Sequence, residues 1–209
     1  MSEENKFMIE EYFKDLRARK ASCDSIRSAG HKDESLTLIC CYIDAIASQY
    51  YSDEDQSKRF SKALIDLSGE DFFKHILPQR ALDEISKKPL FRSALENIKE
   101  LLGPMVGEFH PIEEVKDQLL ELCLNQKQRK WVACNLYRSS VARIAYKSIR
   151  CEAVHDNWAF DVSFGDVTYR GEESPKISYE LLADAYVKIV DRISSRCLES
   201  IKFPWKINT

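Results

Sequence analysis

The stretch YKSIRCEAVHDN, residues 146–157, holds an arginine and a histidine, Arg150 and His155, with four residues between them. A guanidinium holds a phosphate by charge and by donated hydrogen bonds, and an imidazole moves protons near neutral pH. Together they supply what transfer at a phosphodiester needs: a proton acceptor and donor, and compensation for charge on the phosphoryl oxygens. Within one straight α-helix, five residues turn the chain by about 500°, which leaves the two side chains roughly 140° apart. Convergence therefore needs the helix to loosen near Val154, where Asp156 and Asn157 are end signals, or two copies of the chain to meet across a symmetry axis. From residue types alone, the pair also reads as an ordinary helix end, with His155 capping carbonyls beside a surface arginine.

The surrounding charge is asymmetric. Between residues 129 and 150 stand Arg129, Lys130, Arg138, Arg143, Lys147 and Arg150 with no acidic residue, in a chain of net charge −3. Arg143, Lys147 and Arg150 are spaced by four and three, so on a continuous α-helix they share a face. Such a stripe can bind a phosphate backbone; it can equally be a solvated surface. The overall acidity argues against wholesale nucleic-acid binding and leaves only a local patch.

The elements that must position these residues are mostly helical. Six glycines and six prolines in 209 residues favour helices over a strand-and-turn architecture. Helical spacing marks residues 3–21, followed by a loop from Cys23 to Asp33, and Asp33 is placed to cap a second helix. That helix, ESLTLICCYIDAIASQYY, is apolar enough to be central and buried, apart from Asp44. Further helices are expected from Gln56 to Ser68, before Gly103, and after Pro111. The longest runs from Lys130 to about Val154. WAFDVSFGDVTYRG alternates around Gly165 and Asp166 and predicts a β-hairpin at about 158–170. Ser178 then caps a last helix. The expected fold is mainly α, a single helical domain over 1–209 with a small hairpin before the C-terminal helix.

Seven cysteines, at 23, 40, 41, 123, 134, 151 and 197, form no CxxC pair, so neither a disulfide framework nor a zinc site is expected. No cofactor is implied. No apolar run approaches the roughly 20 residues that cross a bilayer, and the N-terminus lacks a secretory pattern, so a cytoplasmic protein with reduced thiols is expected.

The segment AYKSIRCEAVHDN resembles the Arg-x4–6-His motif of the HEPN family of small helical domains. LTLICCYIDAIASQYY is similar to the buried helix of bacterial members, in which an apolar run carries one acidic residue. The resemblance implies a helical bundle, usually dimeric, acting as a metal-independent ribonuclease. Many relatives are toxins of toxin–antitoxin or abortive-infection (antiphage) systems, which implies an antitoxin protein as a possible second partner. Others bind RNA or nucleotides without cleaving. Carried over by position, Arg150 holds the scissile phosphate and His155 is the acid/base, with Arg143 and Lys147 as RNA contacts. Asp44 either orients the motif or faces solvent or a second copy. Active members commonly carry a polar residue after the arginine; here that place is Cys151, which puts the catalytic rate in doubt.

Overall fold

The computed structural model describes residues 3–152 and 161–207, and these form a mainly helical protein with two small antiparallel sheets. The chain divides into two compact units. One comprises residues 1–70, 145–162 and 176–209, and the other residues 71–144 and 163–175. The expectation of one domain over 1–209 contained no such division. Among the described residues, no helix is long and apolar enough to cross a membrane.

The first unit is built on α1 (Glu3–Ser28), α2 (Lys32–Tyr50), α3 (Gln56–Lys62) and a long C-terminal helix, Tyr179–Ser200. In α2, Leu36, Ile39, Cys40, Ile43, Ile46, Ala47 and Tyr50 recur every three or four residues and are buried. Burying that stripe between α1 and the C-terminal helix is what stabilises α2, since most helical stability in proteins comes from packing an apolar face rather than from propensity. The other two helices contribute Ile9, Phe13 and Leu16, and Leu182, Tyr186, Ile189 and Ile193. The buried Tyr186 hydroxyl donates to the Leu16 carbonyl at 2.7 Å, so its polar end is satisfied. As expected, Ser178 caps the C-terminal helix, accepting from the Leu181 N–H.

Two expectations about this unit differ from the fold. Helix α1 runs seven residues past residue 21, to Ser28, instead of giving way to a loop at Cys23. Cys23 is fully buried, Asp24 accepts from the Tyr179 hydroxyl at 2.7 Å, and Arg27 pairs with Glu180 at 2.9 Å. These tertiary partners extend the helix where the local sequence looked like a loop. Helix α2 starts at Lys32, so Asp33 sits inside its first turn rather than capping it. There a carboxylate still meets the positive end of the helix dipole.

The second unit holds α4 (Pro78–Ser86), α5 (Leu95–Leu102), α6 (Ile112–Leu122) and α7 (Gln126–Asn135) around Ile76, Ile85, Phe91, Ile98, Leu102, Val115, Leu119 and Val132. Strands β1 (His75–Ile76) and β2 (His110–Pro111) pair antiparallel. Phe72, Phe109, Phe164 and Tyr169 form an edge-to-face cluster nearby, with His75 against Tyr169 at 4.9 Å.

The single helix expected over Lys130 to Val154 is not formed. Helix α7 ends at Asn135, a 3-10 turn covers Leu136–Ser139, and Ser140 is extended (φ −74°, ψ 155°). The Ser140 hydroxyl then accepts from the Arg143 N–H at 3.1 Å and starts α8 (Val141–Ala145). Serine competes with the helix through such local bonds, and the Ser139–Ser140 pair is where the path breaks. Helix α8 leads into a π turn, Tyr146–Cys151.

The hairpin exists but is shorter and shifted. Strands β3 (Thr168–Tyr169) and β4 (Glu172–Glu173) are joined by Arg170 and Gly171, with φ of 56° and 76°. Two central residues with positive φ mark the tight turn whose twist matches the strands, and Gly171 adopts that conformation without a Cβ penalty. Gly165 and Asp166 form a separate turn before β3. Residues 158–160 of the expected hairpin lie outside the described residues. The C-terminal helix is called α9 from here on.

Candidate functional site

Three groups meet in the first unit around one carboxylate. Asp44 lies on the buried face of α2, and its side chain is only 12% exposed. Arg150, on the π turn, is 11% exposed and donates from Nη2 to Asp44 Oδ2 at 2.8 Å. Gln56, the first residue of α3, donates from Nε2 to the same oxygen at 2.8 Å. One turn further along α3, Arg59 places Nε 3.9 Å from the other oxygen, Oδ1. That is an ion-pair distance but not a hydrogen bond. Asp44 Oδ1, Arg59 Nε and Arg150 Nε are all buried without a hydrogen-bond partner among the described residues.

Local sequence explains how each group arrives. Asp55 caps α3 by accepting from the Lys58 N–H, which fixes where Gln56 and Arg59 point. Phe60 is buried beside Arg59 and packs against Tyr146 at 5.6 Å, tying α3 to the π turn. Arg150 lies over the Tyr146 ring, with its guanidinium carbon 5.5 Å from the ring centre. π turns are uncommon and recur at functional sites, because they place a side chain that a regular helix would turn elsewhere.

Burial acts against the Arg150 charge, but the hydrogen bond and charge of Asp44 outweigh it and hold its pKa above the ordinary value. Burial is also the main reason that the Tyr146 hydroxyl is pushed up, helped by its hydrogen bond with Cys151. Cys41, in the field of both Arg150 and Asp44, is pushed up by burial. It is therefore a thiol rather than a thiolate at neutral pH.

Of the residues singled out by sequence, Arg150 and Asp44 are in direct contact. Cys151 adjoins Arg150, is half-buried, and helps to raise the Tyr146 pKa. His155 lies outside the described residues. Lys147 is exposed on the π turn, whereas Arg143 is half-buried on α8 and belongs to the second unit. The common face expected for Arg143, Lys147 and Arg150 assumed a continuous α-helix, and the π turn replaces it.

Sequence reading missed Gln56 and Arg59. Both stand on the polar side of α3, where nothing local distinguishes them from solvated residues. Their partner is set only by the packing of α2 on α3. All seven cysteines are free. Among the described residues, no three His, Cys, Asp or Glu side chains are grouped to hold a metal ion. No protein-family model, curated protein or solved structure matches this chain.

Proposed function

We propose that this chain is a metal-independent endoribonuclease of the HEPN type, with Arg150 as the phosphate-holding group and His155 as the acid/base. The observation that supports it is the Asp44–Arg150 pair. An acidic residue from the buried second helix meets the motif arginine on an irregular turn, five positions before a histidine. A structural salt bridge at this depth is a weak route to stability, because desolvation offsets much of the attraction. A held and oriented guanidinium is more readily understood as a device for an anion.

In the reaction, the 2′-oxygen of a ribose forms a bond to the adjacent phosphorus and the bond from phosphorus to the 5′-oxygen breaks. His155 takes the 2′-hydroxyl proton and returns a proton to the leaving 5′-oxygen. Arg150 compensates charge gathered on the two non-bridging oxygens, in the orientation fixed by Asp44. The products are a 2′,3′-cyclic phosphate and a 5′-hydroxyl. In this reading the working form is a homodimer acting on RNA, restrained by an antitoxin protein where the chain serves as a toxin.

End-labelled RNA incubated with purified protein in EDTA tests this, with wild type beside His155→Ala. Cyclic-phosphate ends from the wild type alone are expected. Intact RNA in both lanes across several RNA classes would overturn it. A second reading, an RNA- or nucleotide-binding module that does not cleave, draws on Cys151. That residue stands where active members of the resembled family commonly carry a polar residue.

A further inference from the structure

Arg59 is drawn toward Asp44 but not bonded to it. Among the described residues, the carboxylate accepts both of its hydrogen bonds through Oδ2, from Arg150 and Gln56, while Oδ1 faces Arg59 Nε at 3.9 Å. Buried polar groups are nearly always paired, and among the described residues three here are not: Oδ1 and the Nε atoms of both arginines. The charges do not balance either. Two guanidinium groups, which stay protonated at any ordinary pH, share one carboxylate, so this contact group carries one positive charge in excess.

We infer that Arg59 is a second phosphate-binding residue, which with Arg150 takes the diester of a single-stranded nucleic acid. This rests on the proposed function only for the identity of the polymer. A phosphodiester carries one negative charge, which matches the excess; a terminal monoester carries close to two at neutral pH and does not. Arg59 is the outer contact and Arg150 the inner one, since their side chains are 25% and 11% exposed. Asp44 is a positioning residue. It keeps the two cations together in a place where, without it, they would repel each other. Arg59 is free to turn from Asp44 to an arriving phosphate because it gives up no hydrogen bond to Asp44 in doing so, whereas Arg150 must share one.

The test uses a 2′-O-methyl single-stranded oligoribonucleotide, which has no 2′-hydroxyl to attack and so reports binding apart from cleavage. Its affinity is measured across a salt series for wild type, Arg59→Ala and Arg59→Lys. Arg59→Ala is expected to weaken binding about 10-fold and to flatten the slope of log affinity against log salt by about 0.7, the value for one phosphate contact on a single strand. Arg59→Lys keeps the charge and loses the planar fork, so it should retain the slope and recover only part of the affinity. It also guards against a misfolded alanine variant.

Wild-type affinity and slope in Arg59→Ala would overturn the inference, as would a wild type that does not bind the probe. Weakened binding by Arg59→Ala in a protein that leaves RNA intact in EDTA would sustain the inference and sink the nuclease. RNA cleavage by the wild type with unchanged binding by Arg59→Ala would do the reverse.

Discussion

Asp44 and Arg150 are 106 positions apart in the chain and meet through a single 2.8 Å hydrogen bond with both side chains nearly sealed from solvent. Removing one member leaves the other charged and buried, which typically costs about 3–5 kcal/mol. Asp44→Asn should therefore lower the unfolding free energy by an amount of that order in urea titrations. The double variant Asp44→Asn, Arg150→Gln should be destabilised less than the two single changes sum to. Additive effects would mean that the pair does not act as a unit.

Arg150→Lys keeps a positive charge but not the planar fork that reaches Asp44 and the phosphate together. Initial rates of RNA cleavage should fall by about 10²-fold, the order lost with one donor to a developing oxyanion. Circular dichroism should report an unchanged fold. A lysine variant that cleaves at nearly the wild-type rate would remove Arg150 from the proposed role.

His75 carries a pH dependence of its own in the second unit. Burial is the largest influence on its imidazole and lowers its pKa below the usual 6.5, against the opposing pull of the Asp71 carbonyl, to which Nδ1 bonds at 2.9 Å, and of the Asp71 carboxylate. Arg170 and His110 lower it further. The unfolded chain then binds the proton more readily than the folded one. Stability is at its full value above about pH 6.5 and declines as pH falls from there toward the folded-state pKa. His75→Asn, whose amide can replace the Nδ1 hydrogen bond, should reduce that decline. Thermal melts at closely spaced pH values between 5 and 8 measure the difference between the two proteins.

The cap on α9 offers a control that leaves the Asp44–Arg150 pair untouched. Ser178→Ala should cost about 1 kcal/mol, and Ser178→Gly only a few tenths, because glycine leaves room for water to replace the lost bond. Chemical denaturation of the three proteins side by side decides it. Equal losses from alanine and glycine would show that the Ser178 hydroxyl is not what holds the first turn.

Periodicity carried the reading of α2, α6 and α9, since each buries a stripe whose spacing is visible in the residues themselves. Asp44 was conspicuous for the same reason: one carboxylate in an apolar run has to find a partner. The extension of α1 to Ser28 was not legible, because Asp24 and Arg27 find Tyr179 and Glu180 more than 150 positions away. The break at Ser140 had a local signal, two adjacent serines, but the apolar residues on either side kept helical spacing and masked it. Arg59 had no local signal at all. Its meaning comes from a carboxylate fifteen residues earlier on another helix, and only the packing of the two helices connects them.

The π turn from Tyr146 to Cys151 takes up more chain per turn than an α-helix would over the same path. Arg150 therefore reaches Asp44 by virtue of chain length as much as residue type. A one-residue deletion anywhere between Tyr146 and Arg150 would swing the guanidinium by about 100° and move it off the carboxylate, even with every named side chain kept. Exposed Lys147 should accept other residues, but it should not tolerate loss. In comparing sequences that carry this site, a gap in that short segment is the more serious difference.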